Sequence, residues 1–395
     1  MTLKPLREQE LKNRRVIVRA DLNTRFNEHG DIADDFRIRQ FAPTLQYLSS
    51  QGARTVILSH AGTPDNRPSL HSLRPAAAKL TEILGTTVHF CPSRQPADLQ
   101  DAAASLAPGE SLLVENLAQE ATEVHNSPEF AKTLASLGDL YVNDSFSICA
   151  NKYASICALP VLISQKALGL LMEKEFNCIA RAISTPKRPI AVVIGGFYAA
   201  KKIEALAKIS KFADTVILGG AVANTFLAAQ GVQMGRSLYE PDLFPRVFEI
   251  LAALARRDAK VYLPVDFRVG PSLTAKKHSR AVTSLEVPAD SMALDIGPAS
   301  SILFKEALQS AETIIWNGFM GALENEDYSE GTTGMIEHLA SSHGLTVAGG
   351  ENTYAAIRGM ELRHKFDCVV PGDTAFVTML EGKELPGLTA LGLTL

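Results

Sequence analysis

Short apolar runs rich in β-branched residues alternate with longer amphipathic stretches along the whole chain, the pattern of parallel strands covered by helices. In the first half, residues 15–19, 55–59, 111–115 and 140–143 read as strands. Helical patterns at 41–50 and 75–84 lie between them, and Gly52 and Gly85 stand where left-handed caps are wanted. Residues 165–183 read as one long amphipathic helix, followed by a stop and linker at Pro186-Lys187-Arg188-Pro189. A second strand series follows at 190–194, 215–218, 261–264, 292–296, 313–316 and 346–348. The fold class expected is α/β, with two doubly wound parallel-sheet lobes joined by a helix.

A length of 395 residues agrees, because it exceeds what a single core usually serves. No fixed-period repeat or low-complexity tract appears, which disfavours solenoids and disordered tails. A net charge of −4 gives no reason to expect nucleic-acid binding, so an anionic ligand must be caught by local basic groups. The five cysteines, Cys91, Cys149, Cys157, Cys178 and Cys368, form no C-x-x-C pair, which argues against a disulfide framework and a zinc site. With no apolar signal core at the start and no uninterrupted apolar run of membrane-spanning length, the expected location is cytoplasmic, with no membrane partner.

Ligands of open parallel sheets bind beyond the carboxyl ends of the strands. In the second half those ends carry Gly195-Gly196, Gly219-Gly220, Gly297-Pro298, Gly318 and Gly349-Gly350. Glycine lets backbone N–H groups approach phosphate closely, although a single pair is equally ordinary turn chemistry. Neither a Walker A loop nor a well-placed G-x-G-x-x-G is present. The first half offers Arg19-Ala20-Asp21-Leu22-Asn23, Ser59-His60-Ala61-Gly62, Glu115-Asn116 and Asn143-Asp144-Ser145-Phe146. Asp21, Asn23 and Asp144 also suit turns and helix caps, His60 a hydrogen-bonded core position, and Arg37 a surface ion pair.

Taken in order, these segments resemble phosphoglycerate kinase. Val18-Arg19-Ala20-Asp21-Leu22-Asn23, Asp34-Asp35-Phe36-Arg37-Ile38, Ser59-His60-Ala61-Gly62-Thr63-Pro64 and Tyr141-Val142-Asn143-Asp144-Ser145-Phe146 match its first lobe. Leu263-Pro264-Val265-Asp266, Leu294-Asp295-Ile296-Gly297-Pro298, Trp316-Asn317-Gly318 and Leu380-Glu381-Gly382-Lys383-Glu384-Leu385-Pro386-Gly387 match its second lobe and tail. The resemblance implies an acid-substrate lobe over 1–164, a hinge helix over 165–185, a nucleotide lobe over 186–378 and a tail over 379–395 that returns to the first lobe. It implies a monomer that moves a phosphoryl group between 1,3-bisphosphoglycerate and ADP, with Mg-ATP/ADP and a small phosphorylated acid as ligands. Asp21, Asn23, Arg37 and His60 would surround the acid, with Arg37 nearest the transferred group. Gly195, Gly196, Lys202, Gly219, Gly220, Asn317 and Glu324 would serve the nucleotide, and Glu351 its magnesium.

The chain also departs from the family pattern. Arginines of the acid site fall on Thr63, Ala118 and Asn151, and the catalytic lysine falls on Tyr198, beside Phe197. Smaller changes are Ala221, Ala293 and Phe319, and the Thr-Gly-Gly-Gly-Ala loop has become Pro371-Gly372-Asp373-Thr374-Ala375. Since hydrogen bonds to charged groups contribute about 1.5–3 kcal/mol each, the expectation is retained nucleotide binding with impaired transfer. The alternatives are a working enzyme in which Arg25, Lys152 or Lys201 compensate, and a non-catalytic regulatory or interaction protein.

Overall fold

A computed structural model describes residues 3–64, 66, 70–276 and 278–394. The chain divides into two compact units, one running to Phe176 and including Glu384–Thr394, the other Asn177–Lys383.

In the first unit, β1 (Arg15–Ala20), β4 (Arg54–Leu58), β5 (Val88–Cys91), β6 (Ser111–Val114), β7 (Leu140–Asp144) and β8 (Gln165–Leu168) form a sheet ordered β5-β6-β4-β1-β7-β8. Every neighbouring pair is parallel. A small antiparallel pair, β2 (Arg25–Phe26) and β3 (Ile32–Asp34), stands apart. Val16, Ile17 and Val18 are fully buried, as befits a strand covered on both faces. Gly85 closes the helix Arg74–Leu84 at φ 67°, its N–H donating to the Thr81 carbonyl at 2.9 Å.

The expected helix over 165–183 is corrected at its start. Gln165–Leu168 is an edge strand paired with β7, and the helix is Leu170–Ser184. Gly169 makes the break, since a side chain there would collide with the Asp144 carboxylate. The helix expected at 41–50 starts earlier, at Phe36, and carries Pro43 inside it. The segment Glu384–Thr394 joins the first unit through the Gly387 N–H on the Cys149 carbonyl, at 2.9 Å, and Lys166 Nζ on the Ala390 carbonyl, at 3.2 Å.

The second unit has a sheet ordered β11-β10-β9-β15-β16-β17, from β9 (Ile190–Ile194), β10 (Thr215–Leu218), β11 (Lys260–Tyr262), β15 (Thr313–Asn317), β16 (Leu345–Gly349) and β17 (Cys368–Val370). All its pairs are parallel. Residues 292–296, expected in this sheet, instead form β14 (Met292–Ile296) of a separate antiparallel sheet with β12 (Asp266–Gly270) and β13 (Arg280–Thr283). The reason is burial. β9 and β15 are buried throughout, whereas Met292, Ala293 and Leu294 are only half-buried, as an antiparallel strand with one open face allows. Strand order reverses between β9 and β15, which places a crevice at their carboxyl ends.

Candidate functional site

In the first unit, the loops after β1, β4 and β7 converge on Asp21. Its carboxylate accepts from the Arg37 guanidinium, from Ser147 Oγ at 2.6 Å and from the Asn23 N–H at 3.1 Å. Burial works to raise the Asp21 pKa, but the Arg37 guanidinium, the Ser147 hydroxyl and the Asn23 N–H hold it below its ordinary value. Asn23 Oδ1 accepts the Gly62 N–H at 2.8 Å, tying the β1 loop to the β4 loop. Asp21, Asn23, Arg37 and His60 are thus brought into one cluster.

Arg19 lies behind them with no exposed surface. It donates from Nε to Ser155 Oγ at 2.9 Å, from Nη1 to the Ala20 carbonyl at 2.6 Å, and from Nη2 to His60 Nδ1 at 3.1 Å. Ser155 in turn donates to buried Glu123 through Oγ at 2.5 Å and through N–H at 2.9 Å. Burial and the neighbouring Arg19 charge push the His60 pKa down to about 3, so the ring is neutral at physiological pH. Ser147, Ser155 and Glu123 escaped the sequence reading because small hydroxyls and one acid in mid-chain carry no periodic signal. Asp144 takes the structural role: Oδ1 accepts the Met172 N–H at 3.1 Å, in the first turn of Leu170–Ser184. Ala118 is buried, leaving no polar group at that matched position.

In the second unit, two adjoining cavities open beside the crevice. One, of about 210 Å³, is lined by Tyr198, Lys201, Lys202, Glu351, Thr353 and Asp373 among others. The other, of about 240 Å³, is apolar and lined by Leu238, Leu273, Met292, Leu294 and neighbours. Gly196, Phe197 and Phe319 line both. Lys202 is buried, donates from Nζ to the Gly195 carbonyl at 2.8 Å, and has its pKa lowered to about 8, chiefly by burial and against the pull of Asp373. The helices Glu351–Gly359 and Asp373–Leu380 start at this cavity with no side-chain cap, so their dipoles favour anions there. Gly318 and Gly350 have φ of 94° and 103°, and a Cβ on them would lie 2.5 Å from Lys202 Nζ and 2.7 Å from Asn317 Nδ2, respectively.

The paired glycines act differently from expectation. The N–H groups of Gly195, Gly196, Gly219 and Gly220 donate to the carbonyls of Asn317, Phe319, Ile194 and Met320 at 2.8–3.0 Å, so none is left for a phosphate. Their service is close packing: a Cβ on Gly220 would lie 2.8 Å from the Gly196 nitrogen. Asn317 is fully buried behind the polar cavity, donating from Nδ2 to the Gly349 carbonyl at 2.7 Å and to Asp373 Oδ1 at 3.0 Å. Glu324 is exposed and lines neither cavity.

The family model described as phosphoglycerate kinase matches residues 6–383. The chain belongs to the phosphoglycerate kinase family. Two curated relatives carry that name. The one from Desulfotalea psychrophila is 40% identical over 390 residues, covering 98% of this chain and 100% of its own. The one from Aquifex aeolicus is 38% identical over 388 residues, covering 98% of each. Two solved structures agree. Phosphoglycerate kinase from Coxiella burnetii matches with a TM-score of 0.88 at 31% identity over 99% of both chains, and that from Pyrococcus horikoshii with 0.87 at 28% over 98% of both.

As in the phosphoglycerate kinase structures, the parallel sheets occupy two lobes. No helix among the described residues is long and apolar enough to cross a membrane. Within the phosphoglycerate kinase family's frame, the Asp21 cluster falls on the lobe that the resemblance assigns to the acid, and the paired cavities on the lobe assigned to the nucleotide. At the position matched to the family's catalytic lysine, Tyr198 is 59% exposed, with Lys201 Nζ lying 5.2 Å from its ring centroid.

Proposed function

We propose that the second unit binds a magnesium nucleotide while phosphoryl transfer to or from 3-phosphoglycerate is slow or lost. The observation that carries this reading is the charge of the polar cavity. Lys202 and Lys201 face two carboxylates, Glu351 and Asp373, and a phenol stands where the family places an ammonium. Phosphoryl transfer is mostly positioning and electrostatics, so a cavity with balanced charge stabilises the migrating group poorly.

The cavities suit the nucleotide itself. An apolar slot beside a polar one fits a flat base joined to an anionic tail, with Lys202 and the first turn of Glu351–Gly359 facing the phosphates. Glu351 would supply an oxygen ligand for Mg²⁺ at this cavity. Bound there with nucleotide, Mg²⁺ would offset the phosphate charge. A coupled assay with Mg²⁺, on material free of host enzyme, tests the proposal. Little turnover together with a thermal shift from ADP and Mg²⁺ is expected; turnover of tens per second would end it.

A second reading, a working kinase with rearranged contacts, draws support from the clustering of Asp21, Asn23, Arg37 and His60. Calorimetry with 3-phosphoglycerate separates the two. Clear heat at millimolar ligand favours the second reading, and silence favours the first.

A further inference from the structure

We propose that Arg19 is a positioning residue that fixes His60 as the neutral imidazole with its proton on Nε2, so that the ring meets an anionic ligand as an N–H donor and not as a cation. The geometry leaves little choice. A guanidinium has donors only, so the 3.1 Å contact between Arg19 Nη2 and His60 Nδ1 requires a lone pair on Nδ1. In a neutral ring the proton then resides on Nε2.

Arg19 cannot easily turn away. Ser155 Oγ and the Ala20 carbonyl hold its Nε and Nη1, and Ser155 is itself held by both Glu123 oxygens and by Tyr141, whose hydroxyl donates to the Ser155 carbonyl at 2.8 Å. The relay Glu123–Ser155–Arg19–His60 therefore runs from a buried carboxylate to the edge of the Asp21 cluster. Among the described residues, His60 Nε2 has no hydrogen-bond partner and is not a fully buried atom.

Protonating Nδ1 would set an N–H against an N–H and place an imidazolium beside Arg19. The charged groups acting on the ring are Arg19 on β1, Asp21 in the loop after it, and Arg37 on the helix Phe36–Ser50. Both arginines oppose a charge on the ring, and Asp21 favours one. Asp21 is already engaged by Arg37, Ser147 and the Asn23 N–H, which leaves the arginines dominant. The inference rests on reading this cluster as an anion site only for its use; the ring's protonation state is independent of any activity.

The test is long-range ¹H–¹⁵N correlation on the full-length, ligand-free protein, with the His60 signals assigned from His60→Gln. The wild-type ring is expected to keep a single neutral pattern, Nε2 protonated and Nδ1 bare, from pH 8 down to pH 5. In Arg19→Met, the ring is expected to show mixed tautomers and to gain a proton at a higher pH than in the wild type, still below the ordinary histidine value because burial, the larger cause of the depression, remains. A wild-type Nδ1–H pattern, or imidazolium by pH 6, overturns the proposal, as does an Arg19→Met spectrum that matches wild type. Should Arg19→Met fail to fold, the wild-type titration decides alone. The reading of the cluster as an acid site is judged separately, by whether 3-phosphoglycerate perturbs the His60 signals at all.

Discussion

Asn317 Nδ2 donates to Asp373 Oδ1 at 3.0 Å, which fixes a carboxylate at the wall of the cavity that also contains Lys202. The family pattern matched at this position has glycine, so, on the proposed nucleotide reading, the protein carries its own anion where phosphate oxygens would come. Two unit charges about 8 Å apart at an effective dielectric of about 20 repel by roughly 2 kcal/mol before screening. Asp373→Gly is therefore expected to tighten ADP binding in the presence of Mg²⁺ by about tenfold, read by titration calorimetry. An affinity no better than wild type would show that Asp373 lies outside the reach of the phosphates.

If the second unit binds a nucleotide as proposed, Lys202 should make that binding depend on pH. Burial brings its pKa down to about 8, with Lys201 adding to the fall and Asp373 opposing it. Above that value the free protein loses the ammonium, which an anionic ligand must restore. Affinity for ADP is expected to hold near pH 7 and to fall by up to about tenfold per pH unit above pH 8. Stability runs the other way. The unfolded chain binds more protons between about pH 8 and the ordinary lysine value of 10.5, so this residue's contribution to folding improves as pH rises through that window. Lys202→Met should weaken binding at pH 7 and flatten its pH profile; a slope that survives the substitution would assign the titration elsewhere.

Asp144 gives a stability prediction of opposite sign to that of an ion-paired carboxylate. Burial raises its pKa to about 6, and Oδ2 is buried and has no hydrogen-bond partner among the described residues. A raised carboxyl pKa means that the folded state binds the extra proton. Stability from this group is full below the unfolded value of 3.8 and is lost as pH rises through about 6. Relative to Asp144→Asn, the wild type is expected to gain about 1 kcal/mol on moving from pH 7.5 to pH 5.5, measured by urea unfolding. Parallel pH profiles for the two proteins would contradict the assignment.

The apolar runs of β1, β4, β6, β7, β9, β10 and β15 were legible because strands covered on both faces are short, β-branched and uninterrupted. Gln165–Leu168 misled for the converse reason: an edge strand with polar Gln165 and Lys166 continues the helical pattern of 170–183 without a visible seam, and only Gly169 marks it. The candidate site residues divide in the same way. Asp21, Arg37, His60 and Lys202 stand at strand ends or in ordered motifs, whereas Ser155 and Glu123 matter through contacts 136 and 32 residues away in the chain, which no local pattern encodes. The glycine pairs fit close loop packing as well as phosphate binding, since both demand the same residue.

Tyr198 is mostly exposed on the rim of the polar cavity, so a flexible cationic side chain there meets no packing barrier. Tyr198→Lys frees Lys201 from its contact with the ring and puts a second mobile ammonium beside Lys202. A charged hydrogen bond formed to the migrating phosphoryl contributes about 1.5–3 kcal/mol, or roughly one to two decades in rate. The substitution should therefore raise 3-phosphoglycerate-dependent ADP production by about tenfold or more over wild type, and Tyr198→Met, which removes the ring without adding charge, should not. Equal rates in the two variants would show that the missing ammonium is not what limits transfer, and would point to the first unit, where Thr63, Ala118 and Asn151 stand at the positions matched to arginines.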